Sequence, residues 1–237
     1  MLIPSRGPHP FLALTVPTPP VRRKSARGSQ HTVHVPDTPV TLTRVGAASL
    51  RAEVADVRRA LALAGWARAA RVAATDVVPG ARTVLFEGVA DLASLEDLLT
   101  SWPGDDSAVE PGPLVEVPVV FDGPDLDDVA DRWATDAAGV AARLADTDLL
   151  SAFCGFAPGF AYLSGLPAEL AVPRLGTPRP EVPAGSVAVA DRWCGIYPTA
   201  SPGGWRLLGR TTATLWDPAS DRPALLAPGT RVRLVPA

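Results

Sequence analysis

From residue 40 onward the chain carries two kinds of apolar spacing in turn. Val40 and Leu42, then Leu50, Ala52 and Val54, fall at every second position on either side of Gly46, which predicts strands over 40–45 and 49–54. Between Asp56 and Ala69 the apolar residues Val57, Ala60, Leu61 and Ala64 follow helical spacing. Two alternating runs, 72–78 and 82–87, flank Pro79-Gly80 as a hairpin would. A second helix is expected over 93–102, with Asp91 or Ser94 to cap it and Pro103-Gly104 to stop it. Strand, strand, helix, strand, strand, helix is the order of a ferredoxin-like layer of helices on an antiparallel sheet.

The pattern then changes. Residues 115–121 read as a strand and 126–144 as one or two helices. Beyond residue 150, Pro173, Pro178, Pro180, Pro183, Pro198 and Pro202 leave no room for a long helix, and short β-rich runs between glycines suit a compact barrel. The expected fold class is therefore α+β: a ferredoxin-like lobe over 40–113, then a β-barrel over 114–237. Residues 1–39, with eight prolines, five basic residues and one acid, lack either period and read as a disordered tail. The cluster Arg22, Arg23, Lys24 and Arg27 within it reads as solvated, not as a surface for nucleic acid or membrane.

Composition removes several chemistries. Of 22 basic residues, 21 are arginine and one is Lys24, so the folded part has neither a Gly-Lys phosphate loop nor a Schiff-base or biotin-carrying lysine. The three histidines, His9, His31 and His34, all fall in the tail, which denies the lobes the commonest general base and metal ligand; no metal site is expected. Cys154 and Cys194 lack CxxC spacing and read as small buried residues; as a nucleophile Cys154 would want a base that is missing. The longest early apolar run, Phe11 to Val16, is too short for a membrane span or a signal peptide, so a cytoplasmic protein is expected. Residues 41–150 hold 19 acids and 9 arginines, whereas 151–237 hold 5 acids and 8 arginines. Most of the acids read as solvated helix faces, and the positive balance of the barrel favours a small anionic ligand.

The barrel region also carries an ordered set of motifs. Gly155-Phe156-Ala157-Pro158-Gly159-Phe160-Ala161-Tyr162-Leu163 is followed by Pro173-Arg174, Thr177-Pro178-Arg179 and Val182-Pro183-Ala184-Gly185-Ser186-Val187. Gly195-Ile196-Tyr197-Pro198, Ala200-Ser201-Pro202-Gly203-Gly204-Trp205, Leu208-Gly209-Arg210-Thr211 and Leu215-Trp216-Asp217-Pro218 complete it. In this order and spacing the block resembles the family of the 5-oxoprolinase B-type subunit, also labelled allophanate hydrolase subunit 1 and kinase inhibitor (carboxyltransferase domain, subdomains C and D). The resemblance implies that the barrel is cyclophilin-like. It implies a non-autonomous component that acts with separate C-type and A-type subunits to open 5-oxoproline to glutamate, with ATP as cofactor of the complex. Related domains imply two alternatives: an accessory component of the urea carboxylase or allophanate hydrolase type, and a regulatory module that inhibits a sensor histidine kinase. Three positions depart from the family pattern: Ala161 replaces a proline, Ala47 follows Gly46 where aspartate is usual, and the histidine that precedes the first motif is missing.

Rigid Gly/Pro loops at a barrel mouth can present guanidinium forks to a carboxylate or carboxyphosphate. Arg174, Arg179 and Arg210 are the candidates for that role, with Tyr197, Ser201 and Trp205 as pocket wall. Gly155, Pro158, Gly159, Gly185, Gly203 and Gly204 shape the loops. The plainer reading stands beside it: glycines and prolines that only form turns, aromatic rings that are core, and arginines that anchor loop carbonyls.

Overall fold

The computed structural model describes residues 30–35, 38–104 and 112–237. Strands Gln30–Val35 (β1), Thr38–Val45 (β2), Ser49–Glu53 (β3), Asp76–Pro79 (β4) and Thr83–Glu87 (β5) form one antiparallel sheet in the order β1-β2-β3-β5-β4. Helices Val57–Ala69 (α1) and Leu92–Leu99 (α2) accompany it. Asp56 starts α1 by accepting the Arg59 N–H at 2.9 Å. Asp91 starts α2, accepting the N–H groups of Ala93 and Ser94 at 3.1 Å each and the Ser94 hydroxyl at 2.7 Å, so Asp91 is the cap and Ser94 its partner. The alternating residues Leu50, Ala52, Val84 and Phe86 turn inward against Ala60, Leu63 and Ala64 of α1, and Trp102 closes this core at 1% exposure.

β3, α1 and β4 make a split βαβ unit, because β5 lies between two strands that run parallel to each other. In a ferredoxin-like order the strand after the second helix would flank β3. Here β2, which precedes the unit, takes that flank, so the expected layer is present in permuted form. β1 adds a further strand, paired with β2 from Gln30↔Thr43 to Val35↔Thr38. The sheet therefore begins about ten residues before the pattern does, because Pro36 and Pro39 interrupt the alternation there. His31 and His34 belong to β1 and not to a structureless tail, whereas His9 and the basic cluster lie outside the described residues.

The second part is built from Leu114–Val119 (β6), Leu149–Cys154 (β7), Ala161–Ser164 (β8), Arg179–Val182 (β9), Ser186–Ala190 (β10), Trp193–Ile196 (β11), Ser201–Gly203 (β12), Arg206–Arg210 (β13) and Arg231–Pro236 (β14). Seven of these form a sheet in the order β13-β10-β11-β8-β7-β14-β6, and β9 and β12 form a separate two-stranded ribbon. β14 runs parallel to β6 and antiparallel to β7. The chain just past β6 returns to β13 through the bridge Val120↔Arg210, which nearly closes the sheet into a barrel.

Helices Leu126–Arg132 (α3) and Ala137–Ala145 (α4) divide the predicted helical run at Ala134, whose φ is +49°, and Asp136 restarts it by accepting the Gly139 N–H at 2.7 Å. Every residue of β10 is buried, since Val187 and Val189 enter the main barrel core while Ala188 and Ala190 enter a smaller core of Phe160, Tyr197 and Trp205. The candidate residues gather around that smaller core. Among the described residues no helix is long and apolar enough to cross a membrane.

Candidate functional site

The β9–β12 ribbon organises the site. Arg179 is the Cα partner of Gly203 and Val182 that of Ser201, with a bulge between the two pairs. Gly203 is required there, because a Cβ would stand 2.3 Å from the Tyr197 hydroxyl oxygen. The Tyr197 side chain is buried, and burial pushes its phenol pKa up, a rise that the Trp205 backbone and the nearby Arg174 and Arg179 oppose. On the other flank, the Leu175 N–H donates to the Gly204 carbonyl at 2.8 Å and fastens the 173–178 loop to the ribbon. Arg174 is exposed, its Nε 3.8 Å from where a Cβ on Gly204 would stand. Five candidates, Arg174, Arg179, Tyr197, Ser201 and Trp205, thus come together. The Trp205 ring is core, edge-on to Phe160 at 5.5 Å and to Tyr162 at 5.6 Å.

Arg179 is held by a residue that the sequence pattern hides. Asp125, just before α3, accepts Arg179 Nη2 at 2.8 Å through Oδ1 and the Leu207 N–H at 2.7 Å through Oδ2. It is 8% exposed, an exception among acids that mostly read as solvated faces. One turn on, Asp128 binds Arg206 and Arg132; the Arg132 hydrogen bond leads the effects that hold its carboxyl below the usual range. Arg206 also donates to the Pro173 carbonyl at 3.0 Å. Two acids therefore tie α3 to β9, β13 and the Arg174 loop. Arg179 Nη1 and Ser201 Oγ, by contrast, are buried and have no partner among the described residues.

Tyr197 also lines a cleft of about 310 Å³, together with Ala184, Gly185, Pro198 and the segment 211–216. Two turns shape its surroundings. In Ala157–Phe160 and in Pro183–Ser186 the last N–H returns to the first carbonyl, and Gly159 (φ +85°) and Gly185 (φ +80°) fill the third positions, as type II turns require. Pro158 pre-sets the first of these. Gly155 bonds to Phe160 and, through its carbonyl, to the Ala157 N–H across Phe156, whose φ is +71°. This is the rarer and more strained γ-turn form. It leaves the Phe156 ring 61% exposed, edge-on to Tyr197 at 6.2 Å.

Arg210 stands apart from the others. It is exposed and donates to Asp122 from Nε at 2.9 Å and from Nη2 at 2.8 Å. Cys154 and Cys194 are both free. Burial pushes the Cys194 thiol up to about 12 and raises that of Cys154, the opposite of what a nucleophile needs. Among the described residues no group of His, Cys, Asp or Glu is arranged to hold a metal ion.

Chemically, the ribbon offers arginine, hydroxyl and phenol donors over an apolar core, an arrangement suited to an oxyanion. A family model, the carboxyltransferase domain, subdomain C and D, matches residues 40–226. The chain is 40% identical over 168 residues to an Escherichia coli protein named as the B-type subunit of 5-oxoprolinase, covering 68% of this chain and 77% of that one. A Bacillus subtilis protein of the same name is 39% identical over 125 residues, with 52% of each covered. The crystal structure of TTHA0988 superposes with a TM-score of 0.69 at 35% identity over 81% of this chain, which spans only 40% of that protein. Urea carboxylase of Kluyveromyces lactis shares the fold, with a TM-score of 0.65 at 18% identity, over 87% of this chain and 23% of that one.

Proposed function

The chain belongs to the carboxyltransferase-domain family, subdomains C and D, and from that membership we propose that it is the B-type subunit of an ATP-dependent amidohydrolase that opens 5-oxoproline to glutamate. The observation that carries this reading is the 40% identity to the Escherichia coli 5-oxoprolinase component, across 77% of its length. A lactam is a poor electrophile. ATP would activate its oxygen before water attacks, and preorganised donors would stabilise the charge that develops. The cluster of Arg174, Arg179, Tyr197 and Ser201 is the part of this chain suited to hold the anionic substrate.

The chain acts in this proposal with separate A-type and C-type subunits, and ATP enters at the level of the complex. No residue of this chain is assigned to the nucleotide. Its two free cysteines suit a reducing compartment, and we place the assembly in the cytoplasm. The test is reconstitution: this chain, mixed with its A-type and C-type partners, should release glutamate and ADP from 5-oxoproline and ATP, and omission of any one component should abolish the release. Full turnover by this chain alone would overturn the shared-catalysis reading, and no glutamate from the complete set would overturn the substrate.

A further inference from the structure

Three buried side-chain polar atoms lack a hydrogen-bond partner among the described residues: Arg51 Nε, Arg179 Nη1 and Ser201 Oγ. Two of the three sit on the β9–β12 ribbon. Burying a donor without a partner is unfavourable, so two of them on one short ribbon point to a ligand group that satisfies both. The register supports this. Arg179 faces Gly203, and Ser201 lies two residues before Gly203, on the same side of its strand. The Tyr197 hydroxyl fills the place beside Gly203 that a side chain would take, which sets an O–H group next to the cross-strand partner of Arg179.

We propose that Arg179 Nη1, Ser201 Oγ and the Tyr197 hydroxyl form a carboxylate subsite, with Asp125 as the residue that positions Arg179 and Arg174 as a second cation at its mouth. Asp125 fixes one arm of the guanidinium from Nη2 while its other oxygen is committed to the Leu207 N–H, so it orients the group and leaves Nη1 to the ligand. Two arginines against one aspartate leave a single net positive charge, and three single donors match the two oxygens of a planar monoanion. A phosphate dianion would exceed both the charge and the donors. The subsite stands on geometry; only the identity of its carboxylate, that of 5-oxoproline, rests on the function proposed above.

The experiment is a binding titration on the full purified chain, followed by nitrogen-15 NMR at the Trp205 backbone and Arg179 side-chain signals. The probes are L-5-oxoproline, pyrrolidin-2-one (the same lactam without a carboxylate), cyclopentanecarboxylate (a carboxylate without a lactam) and inorganic phosphate. The expected result is saturable binding of L-5-oxoproline, with pyrrolidin-2-one and phosphate at least about tenfold weaker, and about tenfold or more lost in Arg179→Lys and in Ser201→Ala. Asp125→Asn should weaken binding while Arg82→Ala, in the other lobe, leaves it unchanged. If Arg179→Lys fails to fold, Ser201→Ala carries the test, since it removes a hydroxyl with no partner among the described residues. Cyclopentanecarboxylate that binds as tightly as 5-oxoproline, and responds to Ser201→Ala, would leave the subsite standing and remove 5-oxoproline as substrate. Binding of 5-oxoproline that neither variant changes would remove the subsite and leave the substrate standing. Tighter binding of phosphate, or no binding of any probe, overturns the subsite.

Discussion

Val120 and Arg210 donate their backbone N–H groups to each other's carbonyls, both at 2.9 Å, and this exchange joins the chain beyond β6 to β13. The Gly123 N–H reaches the Leu208 carbonyl at 3.1 Å and the Asp125 N–H the Leu207 carbonyl at 3.0 Å, so the seam continues toward the residue that holds Arg179. Closure of the barrel and placement of the site are thus one structural event.

Gly209→Ala is expected to open this seam. A Cβ there would lie 2.3 Å from the Val120 carbonyl oxygen, a backbone atom that cannot swing aside. A loss of about 2–4 kcal/mol is expected, as for other severe steric substitutions. Thermal unfolding and amide exchange at Val120 and Arg210 measure it. Gly65→Ala in α1, where no atom comes within 4 Å, should instead stabilise by about 0.5–1 kcal/mol. Equal effects of the two would contradict the seam.

Asp125 and Asp122 both bind an arginine, yet their removal should differ. The Arg210–Asp122 pair has side-chain exposures of 64% and 44%, so solvent screens it and Asp122→Ala should leave stability nearly unchanged. The Arg179–Asp125 pair is at 28% and 11%, and Asp125→Ala strands a guanidinium and the Leu207 N–H, for about 3 kcal/mol. Urea unfolding of the two variants decides this.

Thiol labelling should separate the two cysteines from unfolded ones. With its thiol pushed up to about 12 and wholly buried, Cys194 should react with iodoacetamide at about pH 8 only after denaturant is added. Cys154, half-buried and also raised, should react more slowly than a free thiol. Rapid native-state labelling of Cys194 would refute its burial.

Acid should weaken the α3 tether. Because the folded form holds the Asp128 carboxyl below its usual pKa, chiefly through Arg132, that residue's contribution is complete above the unfolded value near about pH 4 and fades as pH falls through the lowered folded value. Asp91, lowered by Ser94, acts in the same direction. Unfolding midpoints measured from about pH 7 to about pH 2.5 should fall less steeply at the acid end in Asp128→Asn than in the parent.

What the sequence discloses depends on how local the cause is. β3, β5 and α1 are legible because each period is written within a few consecutive residues, and Pro158-Gly159 announces its own turn. Sheet order is another matter: that β2 flanks β3 in permuted fashion follows from pairings among strands separated by a helix, which no window of residues displays. Asp125 is hidden for a related reason. In a stretch with Asp122, Asp127, Asp128 and Asp131, nothing local distinguishes the one acid that faces inward, since its partners lie 54 and 82 residues away. Arg174 and Arg179, picked by motif, lie at the β9–β12 ribbon, while Arg210, picked on the same grounds, is bound to Asp122 on the surface.

The parallel partnership of β6 with β14 also dictates an order of production. β6 emerges from the ribosome with one lateral neighbour still 117 residues from being made, as the span between Glu116 and Arg233 measures. Until β14 arrives, β7 is bare on that side too, for the same strand serves both. The first sheet, whose pairings all lie within residues 30–87, can mature during this wait, while the barrel must linger with open edges until its keystone is delivered.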